Sequence, residues 1–194
     1  MMLCITTVVS AAQKFTITDA NVILSQFGTP TAYDLLGTTI DNPFAGSDLD
    51  IFDVTTDTLT ITDVAARITK GTFVPNHVTL NYFVYESTGS AGTYLSVPLT
   101  FDSSIDRIYS WSTTGQSVNL LDGISARIAT YSVDMYIQAI DSNPADLNDG
   151  PPITISSLHR IATFSVVPEP STCAVFAGLS ALGLACVLRR RKSI

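Results

Sequence analysis

The chain has 194 residues, of which 46% are hydrophobic and 14% are charged, so it is long enough for one ordinary domain with targeting segments at its ends. The apolar content and the spread of aromatic residues argue against a disordered chain. Residues 13–167 carry sixteen acidic and six basic side chains; this net charge of −10 would repel a phosphate backbone, and we expect no nucleic-acid partner.

Residues 1–12 form an apolar stretch that ends in small side chains, and Lys14 is the first basic residue. This pattern predicts a signal peptide with cleavage after Ala11 or Ala12, which would direct the chain to export. The basic start of such a peptide is missing here. Either the leader is truncated because the start codon is misassigned, or these residues form a first strand.

Residues 13–167 are predicted to form one β domain, because their hydrophobic residues recur mainly with a period of two. Val78 and Leu80, for example, fall on one face of an alternating run. A loop at residues 87–92 joins this run to a second one at residues 95–101, which predicts a β-hairpin.

Other alternating runs are separated by clusters of Gly, Pro, Asn and Asp. The alternation in residues 126–141 predicts a long strand with one face in water. Within the β domain, residues 63–70 are the one segment that could form a short helix. Shorter strands are predicted at residues 15–24, 49–54, 59–64, 105–111, 118–121 and 158–166. Together these runs favour an antiparallel β-sandwich, either jelly-roll or immunoglobulin-like.

An acidic loop is predicted between residues 141 and 150. The oxygen ligands that Ca²⁺ prefers are supplied there by Asp141, Asn143, Asp146, Asn148 and Asp149. The spacing lacks the glycine and the terminal glutamate of an EF-hand, so an ordinary polar turn is favoured and a calcium-stabilised loop is the alternative. No other metal and no cofactor is expected.

Two aromatic residues could bind sugar rings. Tyr109 and Trp111 are two residues apart, so on a strand they would share one face and form a stacking platform, although core packing is the favoured use of a single tryptophan. His77 and His159 are not at metal-ligand spacing and are interpreted as structural. Because the sequence carries no known motif for nucleophilic, phosphate-binding or zinc chemistry, we expect no catalytic residues and no enzyme activity.

The C-terminal residues 168–194 differ in character from the domain before them. Residues 173–188 include no charged side chain, and they are short for a membrane span, since sixteen residues reach about 24 Å as a helix against a hydrocarbon core of about 30 Å. A buried core helix is the alternative, but a run that is apolar on every face would need a larger domain to cover it. A single transmembrane helix is therefore predicted, and its cytoplasmic end is set by Arg189, Arg190, Arg191 and Lys192.

The C-terminal segment resembles the PEP-CTERM sorting signal of Gram-negative bacteria that make exopolysaccharide. It has the three parts of that signal in the same order: an extended Pro168-Glu169-Pro170 motif, an apolar helix and a basic tail. The resemblance covers residues 166–192. It implies recognition by an exosortase, an integral-membrane cysteine transpeptidase that processes its substrate near the motif. It also implies an inner-membrane anchor before processing and a later place at the cell surface or in the extracellular matrix.

The sequence thus predicts a non-enzymatic, exported protein with a structural or adhesive role, with an exosortase, the membrane and exopolysaccharide as its partners. Two alternatives remain open. A carbohydrate-binding module would need exposed aromatic rings, and a secreted hydrolase would need a cleft with two facing carboxylates. The last predicted strand ends at residue 166, which would leave almost no stalk between the domain and the sorting signal.

Overall fold

The computed structural model describes residues 15–37, 42–70, 74–89, 92–141 and 153–167. Within these ranges the chain forms strands and turns, and no segment is helical. The strands are β1 (Phe15–Gln26), β2 (Thr29–Asp34), β3 (Asp48–Phe52), β4 (Leu59–Lys70), β5 (His77–Glu86), β6 (Leu95–Ile105), β7 (Ile108–Thr113), β8 (Val118–Asn119), β9 (Ala129–Asp141), β10 (Ile153–Ser156) and β11 (Arg160–Val166). The prediction of a mainly β domain is confirmed.

Hydrogen bonds join these strands into one curled, open sheet in the order β2-β1-β4-β7-β6-β5-β9-β11-β3, with β8 beside β4 and β10 beside β9. The sequence predicts a sandwich of two separate sheets, whereas the structure has one connected sheet. The two are joined because β6 belongs both to the half with β2, β1, β4 and β7 and to the half with β5, β9, β11 and β3. Its residues 95–99 pair with β5 and its residues 100–105 pair with β7. A register shift between Phe101 and Ser103 bends the strand where it changes partner, so the two halves stay connected.

The helix predicted at residues 63–70 is wrong, because these residues form the second half of β4. Val64, Ala66 and Ile68 are buried while Ala65 and Arg67 are exposed, which is the alternation of a strand with one face on the core. The prediction of a purely antiparallel sheet also needs correction, since β3 and β11 run parallel to each other.

Both halves of the sheet contribute to one hydrophobic core. Large side chains from five strands are completely buried in it: Leu24 on β1, Ile68 on β4, Leu80 on β5, Met135 on β9 and Phe164 on β11. Burying a side chain of this size stabilises a fold by about 1.5–3 kcal/mol relative to leaving it in water. Because the inner face of the curled sheet is packed in this core, its outer face and loops are the surfaces available for binding.

The predicted β5–β6 hairpin is confirmed. Val78 lies opposite Leu99 and Leu80 lies opposite Val97, and all four side chains are buried. The two strands leave the core at the end nearest their connecting loop, where Leu95 is 59% exposed. The segment that follows the loop is thus free to cross the outer face of the sheet.

Candidate functional site

The outer face of β5 and β9 carries a group of aromatic side chains. Inward-facing residues alternate with outward-facing ones along both strands, so Phe83 and Tyr85 on β5 and Tyr136 on β9 project away from the core. Tyr94, just before β6, and His159, just before β11, lie against them. We call these five residues the aromatic cluster.

The rings of the aromatic cluster form a connected set of contacts. The His159 imidazole stacks on Tyr136, with ring centroids 4.3 Å apart and planes 29° apart. Tyr94 meets Tyr136 edge-on at 5.2 Å and lies 6.0 Å from Phe83, which in turn stacks on Tyr85 at 5.6 Å. Such offset-stacked and edge-to-face geometries are the favourable ones for aromatic pairs.

A buried carboxylate lies beneath these rings. Asp134 on β9 is only 7% exposed. It accepts a hydrogen bond of 2.5 Å from the Tyr94 hydroxyl, and its other close partner is the His159 Nδ1 atom at 3.0 Å. Burial, followed by the hydrogen bond to Asp134, raises the pKa of the Tyr94 phenol above its ordinary value, so Tyr94 stays a neutral donor.

The predicted wet face of residues 126–141 therefore needs correction. Ser132 and Asp134 lie on that face and are buried. Tyr94 and His159 cover Asp134, and the Ser132 hydroxyl is hydrogen-bonded to the Ser87 hydroxyl at 2.9 Å. His159 was interpreted as structural; it contacts Asp134, and its side chain remains 50% exposed. His77, at the start of β5, is also exposed.

The aromatic platform predicted from the sequence lies elsewhere. Tyr109 and Trp111 are on β7, where Trp111 is 7% exposed and packs edge-on against Phe101 with ring centroids 5.4 Å apart. Tyr109 is partly buried against the same core. The Trp111 Nε1–H makes no hydrogen bond within the described residues. A buried indole offers no open face to a sugar ring, which favours core packing for Trp111.

A groove lies between the β5–β6 hairpin and residues 117–122. It is an open groove of about 380 Å³, and its walls include Tyr82, Leu95, Val118, Asn119 and Asp122. Burial, and then the charge of Asp122, raise the pKa of the Tyr82 phenol. Among the described residues that line this groove, Asp122 is the one carboxylate, whereas glycosidases use two, so the groove does not favour the hydrolase alternative.

The predicted calcium loop falls mostly outside the described residues. Asp141 ends β9 and is 8% exposed, whereas Asn143, Asp146, Asn148 and Asp149 lie beyond the described part of the chain. Elsewhere in the residues that the structure describes, no group of three or more His, Cys, Asp or Glu side chains is arranged to hold a metal ion. The calcium site stays a prediction.

The domain ends where the sorting signal was predicted to begin. Val166, the last residue of β11, is fully buried, and the Val167 N–H donates a 3.0 Å hydrogen bond to the Phe52 carbonyl. Pro168, Glu169 and Pro170, the apolar run at 173–188 and the cations at 189–192 lie outside the described residues, as do Ala11 and Ala12. In the described ranges, no helix is long and apolar enough to cross a membrane.

The chain thus combines a mainly β domain with a C-terminal segment that has an apolar run and a basic tail. The strand that leads into this segment, β11, lies between β9 and β3 in the sheet. A family model for the PEP-CTERM protein-sorting motif matches residues 166–192. The chain is therefore a PEP-CTERM motif-containing protein. No curated protein matches the chain.

The match begins at Val166, the residue that ends β11, so the sorting motif starts where the last strand of the domain ends. The motif implies an exported protein that is anchored in the membrane before it is processed by an exosortase. The aromatic cluster was missed from the sequence. Its members come from two strands and two loops, so no single run of sequence contains them. The available sequence signal is that Phe83, Tyr85 and Tyr136 are aromatic residues at positions of alternating runs where a polar side chain is expected.

Proposed function

We propose that this chain is an exosortase substrate that is delivered to the cell surface or extracellular matrix, where its β domain has a structural or adhesive role associated with exopolysaccharide and no enzyme activity. The observation that carries the proposal is the PEP-CTERM match at residues 166–192, directly after the last strand of a complete β core. A signal peptide at residues 1–12 would provide the export step.

The motif has a physical rationale as a processing site. Pro168 and Pro170 have no backbone N–H and fix φ near −65°, so this segment favours an extended chain over a helix. An extended substrate matches what a processing enzyme must hold in its active site, because its backbone is accessible on both sides. Glu169 adds one negative charge between the prolines. The cations at 189–192 keep the end of the chain on the cytoplasmic side.

Replacement of Pro168, Glu169 and Pro170 by alanine is expected to leave the chain in the membrane fraction and to abolish its appearance at the surface. The measurement is protease accessibility of the β domain on intact cells, in strains with and without the exosortase. The matched control is the double variant Pro151→Ala/Pro152→Ala, which removes two prolines outside the motif and should reach the surface normally. Surface delivery of the triple-alanine variant at the normal level would contradict the proposal.

A carbohydrate-binding role is the second candidate, and the aromatic cluster is the observation that favours it. Sugar rings bind proteins through their apolar C–H faces and their hydroxyl groups, so they need aromatic rings beside hydrogen-bonding groups. Tyr94, Tyr136 and His159 combine the two around Asp134. Because the domain is strongly acidic, an uncharged polysaccharide is the class of glycan that fits.

Tyr136→Ala is expected to weaken binding of the full chain to a neutral polysaccharide about two- to tenfold, since an aromatic contact contributes about 0.5–1.5 kcal/mol beyond burial and 1.4 kcal/mol is a factor of ten. Affinity electrophoresis with the polysaccharide in the gel measures this effect. Tyr109→Ala, on the core side of β7, is the control and should bind like the wild type. Unretarded migration of the wild-type protein would exclude this second role.

A further inference from the structure

The point at which the chain leaves the domain is flanked by two exposed apolar side chains. β11 lies between β3 and β9, with Val166 opposite Phe52 on one side and opposite Ala129 on the other. On the first side, the Phe27 ring stacks on Phe52 with centroids 4.9 Å apart and is 50% exposed. On the second side, Ile128 precedes Ala129 and is 80% exposed.

The six residues that form the surface around the exit include one charged side chain, Arg127, and no carboxylate. Phe27 and Gly28 form a two-residue turn with positive φ at both positions, which makes the tip of the β1–β2 hairpin and presents the Phe27 ring. The loop after β3 exposes Thr55, Thr56 and Thr58. We call the surface formed by Phe27, Thr55, Thr56, Thr58, Arg127 and Ile128 the exit rim.

The carboxylates near the exit rim are engaged in local interactions. Glu86 forms an ion pair with Arg127, and Asp57 accepts a 2.7 Å hydrogen bond from the Asp53 N–H. The Asp53 side chain accepts bonds from the backbone N–H and the hydroxyl of Thr55. Asp122 accepts from the Asn119 amide at 2.9 Å. A hydrogen bond from a neutral donor does not remove the charge of a carboxylate, and of these four only Glu86 is balanced by a cation. The exposed apolar side chains of the rim, and not its charge, are therefore what favours contact with lipid.

The length of chain beyond Val167 limits the distance between the exit rim and the membrane. Residues 168–172 separate Val167 from the apolar run at 173–188, and six Cα-to-Cα steps span at most about 20 Å. A membrane-anchored chain must therefore hold this end of the domain close to the bilayer, whose headgroup layers are each about 5–7 Å thick. The opposite end of the sheet, where the β6–β7 turn carries Ile105, lies far from this exit.

From this geometry we propose that the exit rim is a membrane-contact surface, in which Ile128 and Phe27 enter the lipid interface beside the anchor and hold the Pro168-Glu169-Pro170 segment at the bilayer surface. The proposal rests on the proposed membrane-anchored state. The partner of this surface is lipid and not a second protein, because residues 168–172 are too short to keep the exit rim away from the bilayer, whether or not an exosortase is bound. Large exposed apolar side chains are the groups that partition into an interface.

The test uses the full chain reconstituted in vesicles of phosphatidylethanolamine and phosphatidylglycerol, with or without lipids brominated near the headgroup end of the acyl chains. Bromine quenches tryptophan fluorescence on contact. The two variants compared are Ile128→Trp and Ile105→Trp, which replace isoleucines of 80% and 70% exposure at opposite ends of the sheet. The native Trp111 is buried and is subtracted as a common background.

We expect the Ile128→Trp signal to be quenched at least about twofold more than the Ile105→Trp signal, because only the exit rim reaches the depth of the bromines. Equal quenching in protein that has entered the vesicles would overturn the rim contact and leave the anchor intact. Protein that stays out of the vesicle fraction would overturn the anchored state and the contact together. Equal quenching combined with slower processing of an Ile128→Asp variant in cells would assign the rim to the exosortase instead of lipid.

Discussion

Phe164→Ala is expected to lower the free energy of unfolding by about 3–5 kcal/mol, which is a large part of the roughly 5–15 kcal/mol that stabilises an ordinary domain. Phe164 is completely buried on β11. Its ring stacks on Tyr131 at 5.5 Å and meets Phe52 edge-on at 5.9 Å. Truncation would open a cavity between β3, β9 and β11, the three strands that hold the exit of the chain.

Urea unfolding of the full chain in detergent, followed by near-ultraviolet circular dichroism, measures this loss. The matched control is Ser165→Ala, the next residue on the same strand, whose side chain is on the outer face and half-buried. Its expected change is within about 0.5 kcal/mol. Similar losses in both variants would mean that Phe164 does not pack in the core as described.

Arg160→Ala is expected to cost about 2–4 kcal/mol. Two hydrogen bonds from a charged donor contribute about 3–6 kcal/mol together, and water can replace part of this loss because the site is only partly buried. The Arg160 Nε donates to the Leu35 carbonyl at 3.0 Å, and its NH2 donates to the Leu36 carbonyl. These bonds tie the start of β11 to the segment after β2, in the other half of the curled sheet. Without the guanidinium, the carbonyl of the fully buried Leu35 loses a partner.

Thermal unfolding of Arg160→Ala beside Arg67→Ala isolates this effect. Arg67 also lies on a strand, but its side chain is 65% exposed and its Nε is 4.0 Å from Asp19, so its removal should change stability by less than about 0.5 kcal/mol. A melting temperature for Arg160→Ala that equals that of Arg67→Ala would contradict a structural role for the guanidinium.

Much of the fold could be predicted because a strand with one buried face leaves a period of two in the sequence. Val78 and Leu80 alternate with Thr79 and Asn81, and Val133, Met135 and Ile137 alternate in the same way, so β5 and β9 were both predicted. The end of β11 at Val166 was also predicted, because the prolines at 168 and 170 cannot continue a central strand.

The errors arise where local pattern and tertiary context disagree. Residues 63–70 contain Ala65, Ala66 and Arg67, which favour a helix, but pairing with β1 on one side and β7 on the other outweighs that propensity. The single connected sheet depends on β6 changing partner, and no local signal marks that change. No strand was predicted at β2, because it begins at Thr29 and Pro30 immediately after Gly28, and Gly and Pro close together favour a turn.

The aromatic cluster could not be predicted as a unit, because Tyr94 and His159 are 65 residues apart and meet only when β6 and β11 reach the same half of the sheet. Trp111 was a candidate for sugar stacking because it is the single tryptophan and lies two residues from Tyr109. Neither feature distinguishes a core position from a surface position. Which aromatic residues face outward depends on the register of each strand, and the structure supplies that register.

Processing of the chain by an exosortase is tested most directly by the intact mass of the surface-released protein. In a strain with the exosortase, we predict a mass that lacks the apolar run at 173–188 and the cations at 189–192. In a strain without the enzyme, the protein should keep its full C-terminus and remain in the membrane fraction. A surface-released protein that still carries residues 189–192, or the same truncated mass in both strains, would contradict the account.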